Sequence, residues 1–321
     1  MKIDNSAANA FRHCPDFYRE RYINKLEKVY QSVTGADFGT RWHDLLAQHY
    51  AAKAAGQPLP EPEEAEAQEM LAAYKAQYPE EPFEVVAWEQ TFQVPVGGEV
   101  ECACGYYVAL GQPMLQATPG GLRSVRPTEK KYKEDCTECK GKGKHAKHLY
   151  TGRWDGVVRM KDSGKLKIFE TKTEKRNGKA NSPTAWATRD QGSLYLYSGA
   201  YVFGESFDGV ILNVCTRGSE KGLKPAGYRR DKLERTKEQI LLAVRDIVQT
   251  ADDIEAAQAR YATGEPWLQH RENCTNKLTD WACDYEAIHT YGRTEQLIQV
   301  NYKKAEDYLE TKNPGVKTDM E

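Results

Sequence analysis

Gly152-Arg153-Trp154-Asp155-Gly156-Val157-Val158, followed by Lys165-Leu166-Lys167-Ile168-Phe169-Glu170-Thr171-Lys172, is the stretch that decides the fold. It reads as two short strands joined by a turn at Asp162-Ser163-Gly164. Val157 and Val158 make the first run apolar. In the second, Leu166, Ile168 and Glu170 alternate with Lys165, Lys167 and Phe169. Paired as a hairpin, the strands bring Asp155, near the start of one, toward Glu170, near the end of the other. The two-residue period of a strand puts Glu170 and Lys172 on one face. Two carboxylates and an ammonium then converge. Paired carboxylates attract a divalent cation such as Mg2+, which takes oxygen ligands. A cation beside a lysine can activate water against a phosphodiester. The plainer alternative is a solvated hairpin with one salt bridge.

Other stretches weigh on that choice. Asp155, fourteen intervening residues and then Glu170-Thr171-Lys172 resembles the signature of the PD-(D/E)XK nucleases. The form is closest to the RecB-like and CRISPR-associated exonuclease branch, in a stand-alone, phage-type version. Phe11-Arg12-His13-Cys14-Pro15-Asp16-Phe17-Tyr18 resembles the opening of that branch, and Gly39 to His43 its glycine–histidine helix. Gln191-Gly192-Ser193-Leu194-Tyr195 resembles the Gln-x-x-x-Tyr motif that follows the Glu-x-Lys strand. The motifs also stand in the family's order. The resemblance implies an α/β fold with a restriction-endonuclease-like core, a central mixed sheet flanked by helices. It implies that Asp155, Glu170, the Thr171 carbonyl and His43 bind one or two Mg2+ or Mn2+ ions. Lys172 would orient or deprotonate the attacking water, and Gln191 and Tyr195 would flank the site and help to hold a DNA end.

Composition sets bounds. The chain has 321 residues with 40% hydrophobic residues, enough for one large domain or two small ones. Mean hydropathy is -0.75. The net charge of -2 gives no argument for nucleic-acid binding from the total, so any such argument comes from local patches. Met1 to Ser6 carry no apolar signal core, and no run long enough to span a membrane occurs. The expectation is a cytoplasmic protein with no membrane partner. With no export signal, the 8 cysteines are read as metal ligands rather than disulfides.

Taken in order, residues 6–55 look helical, with Ser6 as a first cap and Gly39 starting a helix that carries His43. Residues 56–82 read as an acidic, solvated helix, and 83–96 as strand. Residues 97–150 stand outside the nuclease pattern. Cys102-Ala103-Cys104 and Cys136-Thr137-Glu138-Cys139 bracket this insertion, and four thiolates in two tight pairs suit tetrahedral Zn2+. The alternative is four free surface thiols. Seven lysines between Lys130 and Lys147 could meet phosphates or simply form a solvated face.

Beyond the hairpin, Lys175, Arg176 and Lys179 form a basic loop where a DNA backbone would pass, and Pro183 starts the helix of Gln191 and Tyr195. Residues 207–215 read as a buried strand, and Asp231 to Tyr261 as a long helix. The tail from Asn301 reads as a fraying helix. In iron–sulfur members of the branch, the first cysteine joins three later ones. Here Cys14, Cys274 and Cys283 are present, but His289 stands where the last cysteine belongs. A 4Fe–4S cluster, a zinc site on those four residues, and no metal, with Cys14 a buried small hydrophobe, are the alternatives.

The reading has three parts. Residues 1–96 are a helical region with the first strands, 97–150 the cysteine- and lysine-rich insertion, and 151–321 the catalytic core with a C-terminal helical and cysteine region. The expected activity is a metal-dependent DNA exonuclease acting on single strands or duplex ends in replication, recombination or repair, beside recombination or replication proteins. The rival is a catalytically inactive DNA-binding or recombination partner that works through the zinc insertion.

Overall fold

A computed structural model describes residues 1–29, 35–58, 61–109, 114–118, 121–125, 128–174, 186, 189–216, 227–270, 275–276 and 281–304. In chain order the first half gives β1 (Lys2–Ile3), α1 (Asn5–His13), α2 (Pro15–Tyr18), β2 (Leu26–Lys28), α3 (Gly35–Ala55), α4 (Ala65–Gln77) and β3 (Phe83–Glu101). Four short strands follow: β4 (Tyr106–Ala109), β5 (Met114–Thr118), β6 (Gly121–Val125) and β7 (Thr128–Lys131). Then come β8 (Lys144–Met160), β9 (Leu166–Glu174), α5 (Asp190–Phe203), β10 (Phe207–Thr216), β11 (Gly227–Leu233) and α6 (Lys237–Ala262). The chain closes with β12 (Thr275–Asn276), β13 (Trp281–Ala282), α7 (Glu286–Tyr291), α8 (Glu295–Asn301) and β14 (Tyr302–Lys304).

The hairpin forms. β8 and β9 pair antiparallel with Gly156 opposite Phe169 and Arg159 opposite Leu166. Gly164 takes φ 68°, a left-handed conformation that glycine adopts without a Cβ penalty, and its N–H donates to the Met160 carbonyl at 2.9 Å. β10 then joins β9 in parallel, and β11 returns antiparallel on β10. The sheet order is β1-β8-β9-β10-β11, with β3 also on β8, so the sheet is mixed. α5 is the crossover that a parallel β9–β10 pair requires.

Alternation along β9 divides its side chains between two layers. Phe169 joins Trp42, Leu46 and Tyr50 of α3, Met70 and Tyr74 of α4, and Val158, Cys215 and Tyr228 of the sheet in one core. On the other face, Ile168 and Phe207 lie so close to Gly199 of α5 that a Cβ there would meet the Phe207 ring at 2.4 Å. Each large apolar side chain buried this way contributes about 1.5–3 kcal/mol. A mixed α/β architecture with a helix-flanked central sheet is therefore what the chain builds. A polar knot sits inside the first core: Arg230 donates to both carboxylate oxygens of Glu81 at 2.6 and 2.9 Å and to the Tyr74 hydroxyl at 2.8 Å.

Four local expectations are corrected. α1 is capped by Asp4, whose carboxylate accepts from the Ala7 N–H at 2.7 Å, and Ser6 lies inside the helix. Gly39 lies within α3 rather than at its start. The long helix begins at Lys237, not Asp231, because Tyr228 and Leu233 are buried in β11 and Thr236 forms a reciprocal capping box with Gln239. Past Asn301, Tyr302–Lys304 form a strand on β2 rather than a helix. Pro183 and the basic loop of Lys175, Arg176 and Lys179 lie outside the described residues. By its contacts the chain divides into two units, one made of Met1 with Pro95–Leu149 and one of Lys2–Val94 with Tyr150–Glu321. Among the described residues, no helix is long and apolar enough to cross a membrane.

Candidate functional site

Asp155 lies on β8 one residue before the Gly156–Phe169 pair, and its Oδ2 accepts from the Thr171 N–H at 2.7 Å. That bond fixes the carboxylate against β9. Its other oxygen, Oδ1, faces Nδ1 of His43 at 3.3 Å, carried there by α3. Glu170 is 1% exposed, and its Oε1 holds the Lys172 ammonium at 2.5 Å. Gln191 of α5 donates to the same Oε1 at 3.4 Å and to the Tyr195 hydroxyl at 3.0 Å. The Tyr195 hydroxyl in turn donates to the Arg153 carbonyl at 3.2 Å. Helix α5 is thereby tied to β8 and β9 through a chain of polar contacts that ends on Glu170.

The electrostatics follow from crowding like charges in a half-dry site. Burial, and then the Asp155 carboxylate, push Glu170 up to about 7. Burial also works against Asp155, yet the His43 ring, Lys172 and the Thr171 N–H together hold its carboxyl below the usual range. For Lys172, desolvation opposes the charge, but Glu170 and Asp155 outweigh it and the ammonium is held above its ordinary value. His43 is raised in the same way: burial opposes, and Asp155 prevails.

The residues fit a divalent ion on one specific ground. Glu170 Oε2 and Thr171 Oγ1 are buried and have no hydrogen-bond partner. A carboxylate oxygen left bare in a protein interior costs about 1–3 kcal/mol or more unless something fills it. His43, Asp155 and Glu170 do not present three ligand atoms within 4.8 Å of one another, so they do not form a cage of their own. Mg2+ keeps several of its waters and needs few protein ligands, which an open set of this kind suits.

Trp186 and Arg189 were not singled out as site residues by their sequence. The Trp186 ring lies 5.7 Å from the Lys172 ammonium and 5.4 Å from the Arg189 guanidinium. The only signal available was an aromatic and a basic residue immediately ahead of the Gln191 helix.

The cysteines divide. Cys102, Cys104, Cys136 and Cys139 bring their four sulfurs within 4.8 Å of one another, a group that could hold a metal ion. Cys102 Sγ stands 3.6 Å from Cys136 Sγ, and Cys104 Sγ 3.5 Å from Cys139 Sγ. The Cys139 and Glu138 N–H groups point at Cys136 and lower its thiol to about 7. The C-terminal set is described only in part. Cys274 lies outside the described residues, and Cys14, Cys283 and His289 present no three-ligand group among them. Instead His289 Nε2 faces the buried Asp16 carboxylate at 3.0 Å. Cys283 packs in a separate apolar cluster with Leu26, Tyr285, Ile288 and Tyr302.

Residues 5–287 match the sequence model of the PD-(D/E)XK nuclease superfamily, and the chain belongs to that superfamily. The family match identifies a nuclease, a phosphodiester hydrolase of a class that uses divalent metal ions. No curated protein matches the chain. A solved structure described as "Crystal structure of SSO0001" is 14% identical over 91% of this chain and 87% of that one, with a TM-score of 0.32, too low to support anything further.

Proposed function

We propose that this nuclease is a DNA exonuclease of the RecB-like, CRISPR-associated exonuclease type, in a stand-alone form suited to replication, recombination or repair. The observation that carries the site assignment is the bare, buried Glu170 Oε2 beside a fixed Asp155 and a charged Lys172. Asp155, Glu170, the Thr171 carbonyl and His43 are the residues that hold Mg2+ or Mn2+. When bound, the ion supplies charge neutralisation at the phosphate and a more acidic water. Asp155 is held ionised chiefly by the His43 ring and is oriented by the Thr171 N–H. Lys172 orients the attacking water and offsets charge that develops on the phosphate oxygens. Gln191 and Tyr195 keep Glu170 from turning away and border the DNA end. The 97–150 segment acts as an insertion in this enzyme, and we assign Zn2+ to its four cysteines.

Duplex and single-stranded DNA labelled at either end provides the test, with Mg2+, Mn2+ or a chelator present. Stepwise loss of nucleotides from one end, abolished by the chelator and by Lys172→Ala, is the expected result. A protein that shifts DNA on a gel without shortening it would instead be the inactive binding partner. Normal turnover in Lys172→Ala would remove the site assignment.

A further inference from the structure

We propose that the Pro95–Leu149 unit is a metal-dependent fold, in which one Zn2+ closed off by Cys102, Cys104, Cys136 and Cys139 takes the place of a hydrophobic core. This rests on the zinc assignment just made and adds what the ion does. The sulfur spacing is the first support. Zinc–thiolate bonds of about 2.3 Å in a tetrahedron put neighbouring sulfurs about 3.8 Å apart. The two pairs, at 3.6 and 3.5 Å, lie close to that edge and far from the roughly 2.05 Å of a disulfide. Each pair joins a cysteine of the first knuckle to one of the second, so the sulfurs tie together chain segments more than thirty residues apart.

The backbone around them is shaped to wrap a small object. Lys140, Gly141 and Gly143 take φ of 46°, 78° and 77°. The Lys140 N–H donates to the Cys136 carbonyl at 2.8 Å, and the Lys142 N–H to the Cys139 carbonyl at 2.9 Å. The Cys102 N–H reaches across to the Gly143 carbonyl at 2.9 Å, which brings the knuckles together. A Cβ at Gly143 would meet the Tyr132 ring at 2.4 Å, so that approach needs glycine twice over, for conformation and for space.

Among residues 95–105 and 129–149, the buried apolar side chains are Val96, Cys102 and Cys139, so two of the three are cysteines. β4–β7 and β5–β6 are isolated two-stranded pairs, which are marginal in water without a further layer or a staple. The site is also closed. Four thiolates fill a tetrahedral ion and leave no open position for water or substrate. Glu138 and His145 stand beside it and outside the four: Glu138 Oε2 is 3.7 Å from Cys102 Sγ and 3.6 Å from His145 Nε2. A zinc tetrathiolate is a net anion, and Lys140, Lys142 and Lys144 follow directly on the second knuckle. Part of the lysine run is thereby accounted for without a nucleic acid.

The experiment uses the full-length chain with Mg2+ in excess. Elemental analysis and thiol titration are followed by limited trypsin digestion before and after zinc is stripped with a thiol-directed mercurial, and again after Zn2+ is restored. Expected are one zinc per chain, and cleavage between residues 95 and 149 at least tenfold faster once stripped, with protection regained on refilling. Cleavage elsewhere in the chain should proceed at the same rate throughout. A His145→Ala protein should retain its zinc, and cobalt in place of zinc should give a thiolate charge-transfer band. Absence of zinc, or titration showing two disulfides, would end the zinc assignment. Zinc present with unchanged trypsin protection after stripping would leave that assignment standing and end the metal-dependent fold. Loss of zinc in His145→Ala would end the four-cysteine ligand set.

Discussion

In the proposed site, catalysis and stability pull in opposite directions at Glu170. Its carboxyl is raised from 4.5 to about 7, chiefly by burial, so the folded chain holds a proton that the unfolded chain releases. The contribution of that proton is fully present below pH 4.5 and is lost as pH rises through 7. Without metal ions, Glu170→Gln should therefore be more stable than the parent at pH 8, by on the order of 1–3 kcal/mol, with the gain fading toward pH 4.5. Urea titrations at several pH values in chelator measure it, and a pH-independent difference would contradict it. The same variant should lose turnover by at least about 100-fold, as should Lys172→Ala, because charge placed at the reacting phosphate is worth several kcal/mol. Melting temperatures taken alongside the rates separate lost chemistry from lost fold. Strand periodicity made the approach of Glu170 and Lys172 readable from the sequence. The contact of the Tyr195 hydroxyl with the Arg153 carbonyl was not readable, since nothing local marks a carbonyl as a partner 42 residues away.

At the level of elements, α5 presses on the sheet through a position with no side chain. Gly199→Val would drive methyls into the Phe207 ring and the Ile168 Cδ1, which a Cβ alone would already meet at 2.4 and 2.9 Å. A loss of about 1–3 kcal/mol is expected in chemical denaturation. The polar knot between α3, α4 and β11 makes a different prediction. Arg230 is tied to Glu81 and Tyr74 and lies 3.6 Å from the centre of the Tyr78 ring. Glu81→Ala strands a buried guanidinium and should cost about 3–5 kcal/mol. Changing both partners, Glu81→Leu with Arg230→Met, should return most of it, and a double-mutant cycle with no coupling would refute this account. Sequence showed most of these elements because apolar spacing and cap residues are local. It did not show that 227–233 is a strand, since Arg229, Arg230, Asp231 and Lys232 look like a helix surface until Glu174, Glu81 and β10 supply their partners.

For the molecule as a whole, acid stability is set by groups that titrate in opposite senses. His49 is lowered to about 4, first by burial and then by Lys75 and Lys53. Its stabilising neutral form is intact above 6.5 and is lost as pH falls through 4, a cost of about 3 kcal/mol by pH 4. Between pH 4.5 and 6.5 this slope opposes that of Glu170, so the parent's stability should vary little there. His49→Phe should flatten the acid limb. In Glu170→Gln the His49 slope should stand alone, and a parent profile as steep as that variant's would show the two groups do not offset each other. The C-terminal cysteines show what whole-chain reading leaves to tertiary placement: His289 faces Asp16, Cys283 packs with Leu26, Tyr285, Ile288 and Tyr302, and Cys274 lies outside the described residues.

One feature of β8 bears on how safely such an enzyme can be made. The same strand supplies Asp155 and, two residues earlier, the carbonyl that anchors Tyr195. A slip of one position along β9 would turn Asp155 to the opposite side and release Tyr195 together. On the proposed function, a newly synthesised chain that zips up wrongly is then harmless, because cutting power arrives only with correct alignment.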